Sequence, residues 1–416
     1  MSTHVEKPAR TRIPAELKVL IASAFIIAIG FGIVAPILPQ YASDFGVSAM
    51  AVSAVVSAFG LFRLLFAPAS GKLTQALGEV PVYVVGLLIV AVSMIATAFA
   101  PTFELLLIFR ALGGIGSTFF TVSAMTFLAR KAPPGIRGRV SGAYASAFLI
   151  GNVAGPLLGS ALLVFGQRVP FLVYGGALII AAAFVYFMLR RSQLEERDTK
   201  DSREKTTLAE AWQHTGYRAA LTSAFANGWA TFGVRNAIIP LFAASAFVGG
   251  AWIIDSDQLA GVALAVFAAG NVSVVLTLAK RSDQWGRRLP IMVGLTIAAV
   301  ATGFLGLSPE PWVLLVLSLI AGAGTGLIVP AQQAALADIV GEGRNGGSVV
   351  SAFQMSQDLG GIVGPLLAGF LVDQLNYAWA FGVTGVIMLI GVAAWTAAPE
   401  TLPTKAGSGS LGLQTR

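Results

Sequence analysis

Cysteine is absent from all 416 residues, which excludes disulfides, thiol nucleophiles and Cys-ligated metal centres and leaves the compartment open. Histidine is nearly absent too. The 2 present, His4 and His214, lie outside the apolar runs, so those runs hold no cluster of the kind a membrane enzyme needs. Charge is also scarce: 11% of residues are Asp, Glu, Lys or Arg against 56% apolar, too little polar surface to coat a soluble chain of this length. No Gly-rich phosphate loop of the Walker type occurs, which argues against ATP as the energy source.

What the chain does have is long apolar runs. Twelve are apparent, near 17–40, 48–70, 80–100, 103–127, 140–165, 168–189, 217–243, 258–279, 289–308, 311–335, 347–372 and 377–397, each about the 20 residues that cross ~30 Å of hydrocarbon. Their apolar residues do not alternate with polar ones, so they read as helices rather than barrel strands. The first run is too long for a cleaved leader and has no small-residue cleavage site behind it.

The formal charge of +7 is explained by position. Of the 27 Lys and Arg, all but Arg63, Arg110, Arg168 and Arg235 fall in the N-terminal arm, the loops on one side or the tail. Basic loops mark the cytoplasmic face, which predicts a multi-pass protein of the cytoplasmic (inner) membrane with both termini inside. The basic balance is a topology signal, and no nucleic-acid partner is expected.

The chain also repeats itself. Gly155-Pro156-Leu-Leu returns half a chain later as Gly364-Pro365-Leu-Leu, Gly32 to Pro39 is echoed by Gly233 to Pro240, and Gly78 is answered by Gly286. An internal repeat of six apolar segments predicts an all-α membrane protein with twelve transmembrane helices in two pseudo-symmetric six-helix bundles. The expected units are an N-terminal arm (1–16), a first bundle (17–189), a central cytoplasmic loop (190–216) with a short surface helix at 207–214, a second bundle (217–397) and a tail (398–416). Pro36 and Pro39 should kink or end the first span near the outer face, and the echo at Pro240 predicts the same shape in the second half.

Polar residues inside the spans are the candidates for chemistry. Among the 20 acidic residues, Asp358 is the clearly embedded carboxylate, about 16 Å along its helix if that begins near Gly347. There it could carry a proton between two environments, bind a cationic substrate, or simply bond to neighbouring helices. Arg63 lies at mid-depth of span two, where it must face protein or water. Arg110, Gly114, Ser117 and Thr121 share one face of span four, a stripe expected to line a wet cavity. Ser223, Asn227, Thr231 and Arg235 form a similar stripe on span seven, and span ten adds Thr325 and Gln332. The expected substrate cavity comprises Asn227, Trp229, Thr231, Arg235, Gln332, Gln354, Tyr144, Phe148 and Phe353, with aromatic walls and amides to orient a ligand.

Several of these motifs resemble a known family. Gly151-x-x-x-Gly155-Pro156-x-x-Gly159-Ser160 is similar to the fifth-span motif of the twelve-span drug:proton antiporters of the major facilitator superfamily, with Ser160 in place of the usual last Gly. Arg110-x-x-x-Gly114-x-Gly116 resembles their fourth-span motif, which implies a role for Arg110 in proton transfer alongside Asp358. Gly151, Gly155, Pro156 and Gly159, with Gly360, Gly364 and Pro365 in the second half, would then let helices approach closely and roll. Gly71 and Gly78, with Asp283, Gly286, Arg287 and Arg288, resemble the family's cytoplasmic gate. Here the first copy departs from pattern, since Gln75 stands for an acid and Glu79 for a base, which predicts a weakened first latch.

The resemblance implies a proton-coupled antiporter that exports small amphipathic molecules by alternating access, working as a monomer in the lipid bilayer with protons as the coupling ion and no cofactor or metal. A sugar or metabolite exporter of the same fold is the rival within transport. A non-transporting receptor or scaffold is the rival from another class.

Overall fold

The computed structural model describes residues 13–132, 137–189, 206–247, 256–278, 285–341, 344 and 346–402. Among them the chain is helix and turn, with no strand. The first half contains α1 (Ala15–Val34), a short α2 (Leu38–Ser43), α3 (Ala49–Leu77), α4 (Glu79–Ala98), α5 (Phe103–Lys131), α6 (Arg137–Leu162) and α7 (Val169–Leu189). A short α8 (Leu208–Gln213) leads to α9 (Thr215–Asn227), which runs through a π-helical turn (Gly228–Val234) into α10 (Arg235–Ala246). Then follow α11 (Ser256–Leu278), α12 (Arg288–Phe304), α13 (Pro311–Val340), α14 (Gly347–Gln374) and α15 (Tyr377–Thr396).

Local chemistry sets these boundaries. The Ser48 hydroxyl caps α3 by accepting from the Ala51 N–H at 3.2 Å, and Asn376 caps α15 by accepting from Trp379 at 3.2 Å, each satisfying a donor that the first helical turn leaves free. Gly78 has φ 91° and Gly286 φ 83°. That left-handed backbone is open to glycine at little cost and lets the chain reverse tightly between α3 and α4 and ahead of α12. Around Pro36 and Pro39, α1 stops and α2 restarts after a turn.

Eleven of the described helices are each long and apolar enough to cross a membrane. The remaining crossing is built from α9, the π turn and α10, so no single regular helix carries it. At Pro240 the structure corrects the expected echo: α10 continues through this proline, and the irregular backbone comes earlier, at Gly228–Val234. A π turn gains one residue per turn over α geometry, so the i+4 stripe on span seven does not lie on a straight face.

The two halves use matching contacts. α1 lies along α6 as the α9–π segment lies along α14; α4 packs between α5 and α7 as α12 packs between α13 and α15; α3 lies along α5 as α11 lies along α13. With lipid as solvent, close packing rather than hydrophobicity holds helices together, and the glycines provide it. A Cβ added at Gly155 would lie 2.6 Å from Gly32 Cα, and one at Gly364 would lie 2.9 Å from the Trp229 carbonyl oxygen. The Pro156 ring packs against Gly32, and the Pro365 ring packs against Gly233. The same proline-on-glycine contact thus recurs in each half.

The halves meet along α3–α14 and α6–α11, with α2 and α10 also in contact. The bonds that join them cluster between the midplane and the face opposite the basic loops. Asp373 at the end of α14 accepts from the Ala49 and Met50 N–H groups at the start of α3, both at 2.8 Å. Ser57 donates to the Ile362 carbonyl at 2.7 Å, and Ser160 donates to the Gln258 carbonyl at 3.3 Å. Toward the basic face, Ser351 and Gln354 on α14 are exposed. Among the described residues no hydrogen bond joins the halves toward that face, so the interface is closed on one side and open as a cleft on the other.

Candidate functional site

At the base of the cleft, Asp358 of α14 meets Arg63 of α3. Arg63 Nε lies 3.9 Å from Asp358 Oδ2, with 32% and 20% of the two side chains exposed. Gln354, one turn earlier, donates its amide to Asp358 Oδ1 at 3.2 Å. An isolated cation at mid-bilayer costs at least about 2.5 kcal/mol, and this pairing answers the cost for both charges. Leu61 and Leu65, exposed on α3, flank Arg63 at two-residue offsets and so point about 160° away from it, placing Arg63 on the protein side of its helix. The pair spans the two halves, and both side chains are partly exposed.

Arg110 is elsewhere. Its guanidinium lies over the Phe59 ring at 4.7 Å and 3.6 Å from Met94 Sδ, and its Nε has no hydrogen-bond partner. With 6% of the residue exposed, it sits inside the first bundle, and among the described residues no bond joins it to Asp358. The expected wet stripe on span four is corrected here. Ser117 is buried with Arg110, and Gly114 is pressed against the Phe59 carbonyl of α3, because the glycines draw α3 and α5 too close to leave a water channel.

The other expected cavity residues divide. Gln354 lies in the cleft beside Asp358. Trp229 is buried, donates Nε1–H to Thr384 at 3.1 Å and packs on Phe225. Gln332 is buried and donates to Ser223 at 2.7 Å, which also accepts from Trp395 at 2.9 Å. Phe353 and Tyr144 are buried, Tyr144 lying 5.3 Å from Phe148. These side chains pack the two bundles. Asn227 is buried and accepts from Thr231 at 3.0 Å, while Arg235 donates Nε–H to the Thr231 carbonyl at 3.0 Å. Thr231 and Arg235 line a small cavity inside the second bundle.

At the basic face, Arg287 pairs with Asp338 of α13 at 3.1 Å. Arg288 donates to the Trp395 and Thr396 carbonyls at 2.9 and 2.6 Å, capping α15. A Cβ on Gly286 would strike the Glu400 carboxylate. A Cβ on Gly71 would meet nothing within 4 Å, and Asp283 lies outside the described residues. In the first half Glu79 pairs with Arg130 of α5 at 2.7 Å, so the departure at Glu79 yields an ion pair of its own, while Gln75 is exposed at the end of α3.

Arg63 as the partner of Asp358 is what residue patterns left unassigned. Three arginines lay inside spans with one embedded carboxylate, so elimination narrows the partner to three but cannot choose among them. The capping role of Asp373 had no signal beyond its place at a span end.

Two bundles joined along four helices, with a charged pair at the floor of a one-sided cleft, define a multi-pass membrane transporter rather than an enzyme. The Major Facilitator Superfamily matches the chain over residues 20–253 and 238–413, and the chain belongs to that superfamily. It is 25% identical over 386 residues to Multidrug resistance protein 1 of Bacillus subtilis, covering 92% of this chain and 96% of that one. It is 24% identical over 393 residues to the quinolone resistance protein NorA of Staphylococcus aureus, covering 90% and 96%. Among solved structures, a bacterial homologue of the human lysosomal transporter Spinster, inward-facing and unoccupied, superposes with a TM-score of 0.74 at 17% identity, covering 91% and 95%.

Proposed function

We propose that this transporter is a proton-coupled antiporter that exports small amphipathic molecules or drugs across the cytoplasmic membrane. The observation that carries the reading is the Arg63–Asp358 pair, shared between the halves at the cleft floor. A proton on Asp358 removes the charge that holds Arg63, and a cationic group on a substrate competes for the same carboxylate. Proton and substrate thus exclude one another at one site, which is the condition for exchange. The names of the relatives in Bacillus subtilis and Staphylococcus aureus favour drugs as the cargo class.

In this reading the basic face is cytoplasmic, both termini lie inside, and the structure is the inward-facing state of a monomer. The halves 17–189 and 217–397 rock about the α3–α14 and α6–α11 contacts so that access alternates. Gly151, Gly155, Pro156 and Gly159, with Gly360, Gly364 and Pro365, keep α6 and α14 in register during the movement. Gly78, Gly286, Arg287 and Arg288 hold the cytoplasmic turns of the two bundles. No cofactor takes part, and protons are the coupling ion.

The test uses purified protein in liposomes under an imposed pH gradient, with lipophilic cations, antibiotics and sugars as candidate cargo. Addition of cargo is expected to release protons from the vesicle lumen, and Asp358→Asn to abolish that release and to weaken the binding of lipophilic cations more than that of neutral cargo. Cargo flux with no proton movement in the wild type would make the protein a facilitator and remove the antiport reading.

A further inference from the structure

A second unusual charge lies apart from the cleft. Arg235, at the end of the π turn, extends into the interior of the second bundle, its guanidinium 4.0 Å above the Phe267 ring. Its Nε–H is used by the Thr231 carbonyl. Among the described residues no carboxylate lies within ion-pair distance of it. It borders a cavity that leaves about 10 Å³ for the centre of a water-sized occupant, with no acidic residue in the wall. Apart from polar groups on Thr231, Thr302, Ser318 and Thr325, the wall is apolar and includes Phe267, Phe381 and Met388.

Two hydroxyls of this wall have already committed their protons. Thr231 already donates to Asn227, and Thr325 donates to the Ala321 carbonyl. Ser318 is 1% exposed, and its hydroxyl has no partner. The polar groups of the wall without a hydrogen-bond partner among the described residues are the Ser318 and Thr302 hydroxyls, and the Arg235 guanidinium supplies the one charge. A buried hydroxyl left unbonded is uncommon enough to call for an occupant, and a half-buried cation with no carboxylate at ion-pair distance among the described residues favours an anionic one. A water molecule would satisfy the hydroxyl but leave the charge unbalanced. A cation is repelled, and a polyatomic organic anion is too large for the space.

We propose that this cavity is a binding site for one monatomic anion, chloride under ordinary conditions, held by the Arg235 guanidinium and the Ser318 hydroxyl. The anion neutralises the interior of the second bundle beside its π turn. The site is separate from the Arg63–Asp358 pair and does not depend on the coupling assigned to it.

The experiment measures thermal unfolding of the purified full-length protein in chloride, bromide and gluconate at equal ionic strength, alongside anomalous diffraction from bromide-soaked crystals. Chloride and bromide are expected to raise Tm by about 2 °C or more over gluconate, saturably, and bromide to give an anomalous peak between Arg235 and Ser318. Ser318→Ala is expected to weaken the halide response several-fold and Arg235→Gln to abolish it, while Arg63→Gln keeps it. Equal Tm in all three salts, with no bromide peak, would leave the cavity to water and overturn the proposal. So would a halide response that survives Arg235→Gln. Should Arg235→Gln fail to fold, the wild-type titration, the bromide peak and Ser318→Ala decide the matter alone.

Discussion

Breaking the pair at the cleft floor should shift the protein away from the conformation seen here, because that pair joins the halves on their closed side. Two unit charges 3.9 Å apart attract by about 4 kcal/mol at the effective dielectric of partly buried sites. Partial exposure of both side chains and the cost of desolvating them reduce this to a coupling of about 1–3 kcal/mol, a factor of roughly 5 to 150 in a two-state equilibrium. The natural absence of cysteine makes the assay clean: Ser53→Cys introduces a single thiol. Ser53 is buried in the α3–α14 contact with an unbonded hydroxyl, so a membrane-impermeant maleimide can reach the thiol only when that contact opens. Asp358→Asn and Arg63→Gln are each expected to raise the labelling rate about 5-fold or more, and the double variant to exceed neither by much. Labelling unchanged in both singles, or effects that multiply fully in the double, would refute the claim that the pair holds the halves together.

Asp373→Asn removes a carboxylate that accepts two N–H groups at the α3 terminus and is expected to raise Ser53→Cys labelling by a factor set by about 1–2 kcal/mol. Gly155→Ala places a methyl 2.6 Å from Gly32 Cα and should cost about 1–3 kcal/mol by overpacking, read as a lower Tm, whereas Gly142→Ala, with nothing within 4 Å, should leave Tm unchanged. Partial burial raises the Glu400 carboxyl, but the backbone N–H groups of Arg287, Leu402, Arg288 and Thr401 outweigh it and hold the group below its ordinary 4.5. Its contribution to stability is therefore complete above that unfolded value and lost as pH falls through the lower folded one, so Glu400→Gln should flatten the acid limb of a Tm–pH curve. Glu79→Arg should destabilise the protein by about 1–3 kcal/mol by leaving like charges facing each other, and Glu79→Arg with Arg130→Glu should recover most of it in the same unfolding measurement.

The architecture was legible because lipid imposes coarse demands. Runs of apolar residues set the number of crossings, and the Gly-Pro motifs marked α6 and α14 as the helices of closest approach, since only a missing Cβ lets the Gly32–Gly155 backbones come so near. The π turn was not legible. Gly228 and Gly233 also fit an ordinary helix, and the choice between α and π geometry is made by packing against α14. Burial was misjudged for the same reason: Gln332 and Trp229 look like ligand-binding groups in a sequence, yet Ser223 and Thr384 satisfy them within the bundle. Asp358 could be singled out because embedded carboxylates are so rare. Its partner could not, because three arginines qualified and only the docking of α3 on α14 selects Arg63.

The turns at the basic face show where reading by residue type fails and reading by pair succeeds. Glu79 opens α4 and bonds Arg130 at the end of α5, while Arg287 stands just before α12 and bonds Asp338 at the end of α13. The two pairs occupy equivalent places, since Arg287 follows Glu79 by the same number of residues as Asp338 follows Arg130, but the signs are exchanged. Position by position, Glu79 looks like the loss of a basic residue. As a pair, nothing is lost, because a carboxylate–guanidinium contact has the same geometry whichever helix supplies which group. Both partners of each pair also belong to one half. The pairs therefore brace α4 to α5 and α12 to α13, whereas the side-chain bonds that join the halves among the described residues include Asp373 on the α3 terminus, Ser57 on Ile362, Ser160 on Gln258, and Arg63 on Asp358. Of these four, the last alone joins a cationic to an anionic side chain, so it is the inter-half contact on which the proposed exchange rests.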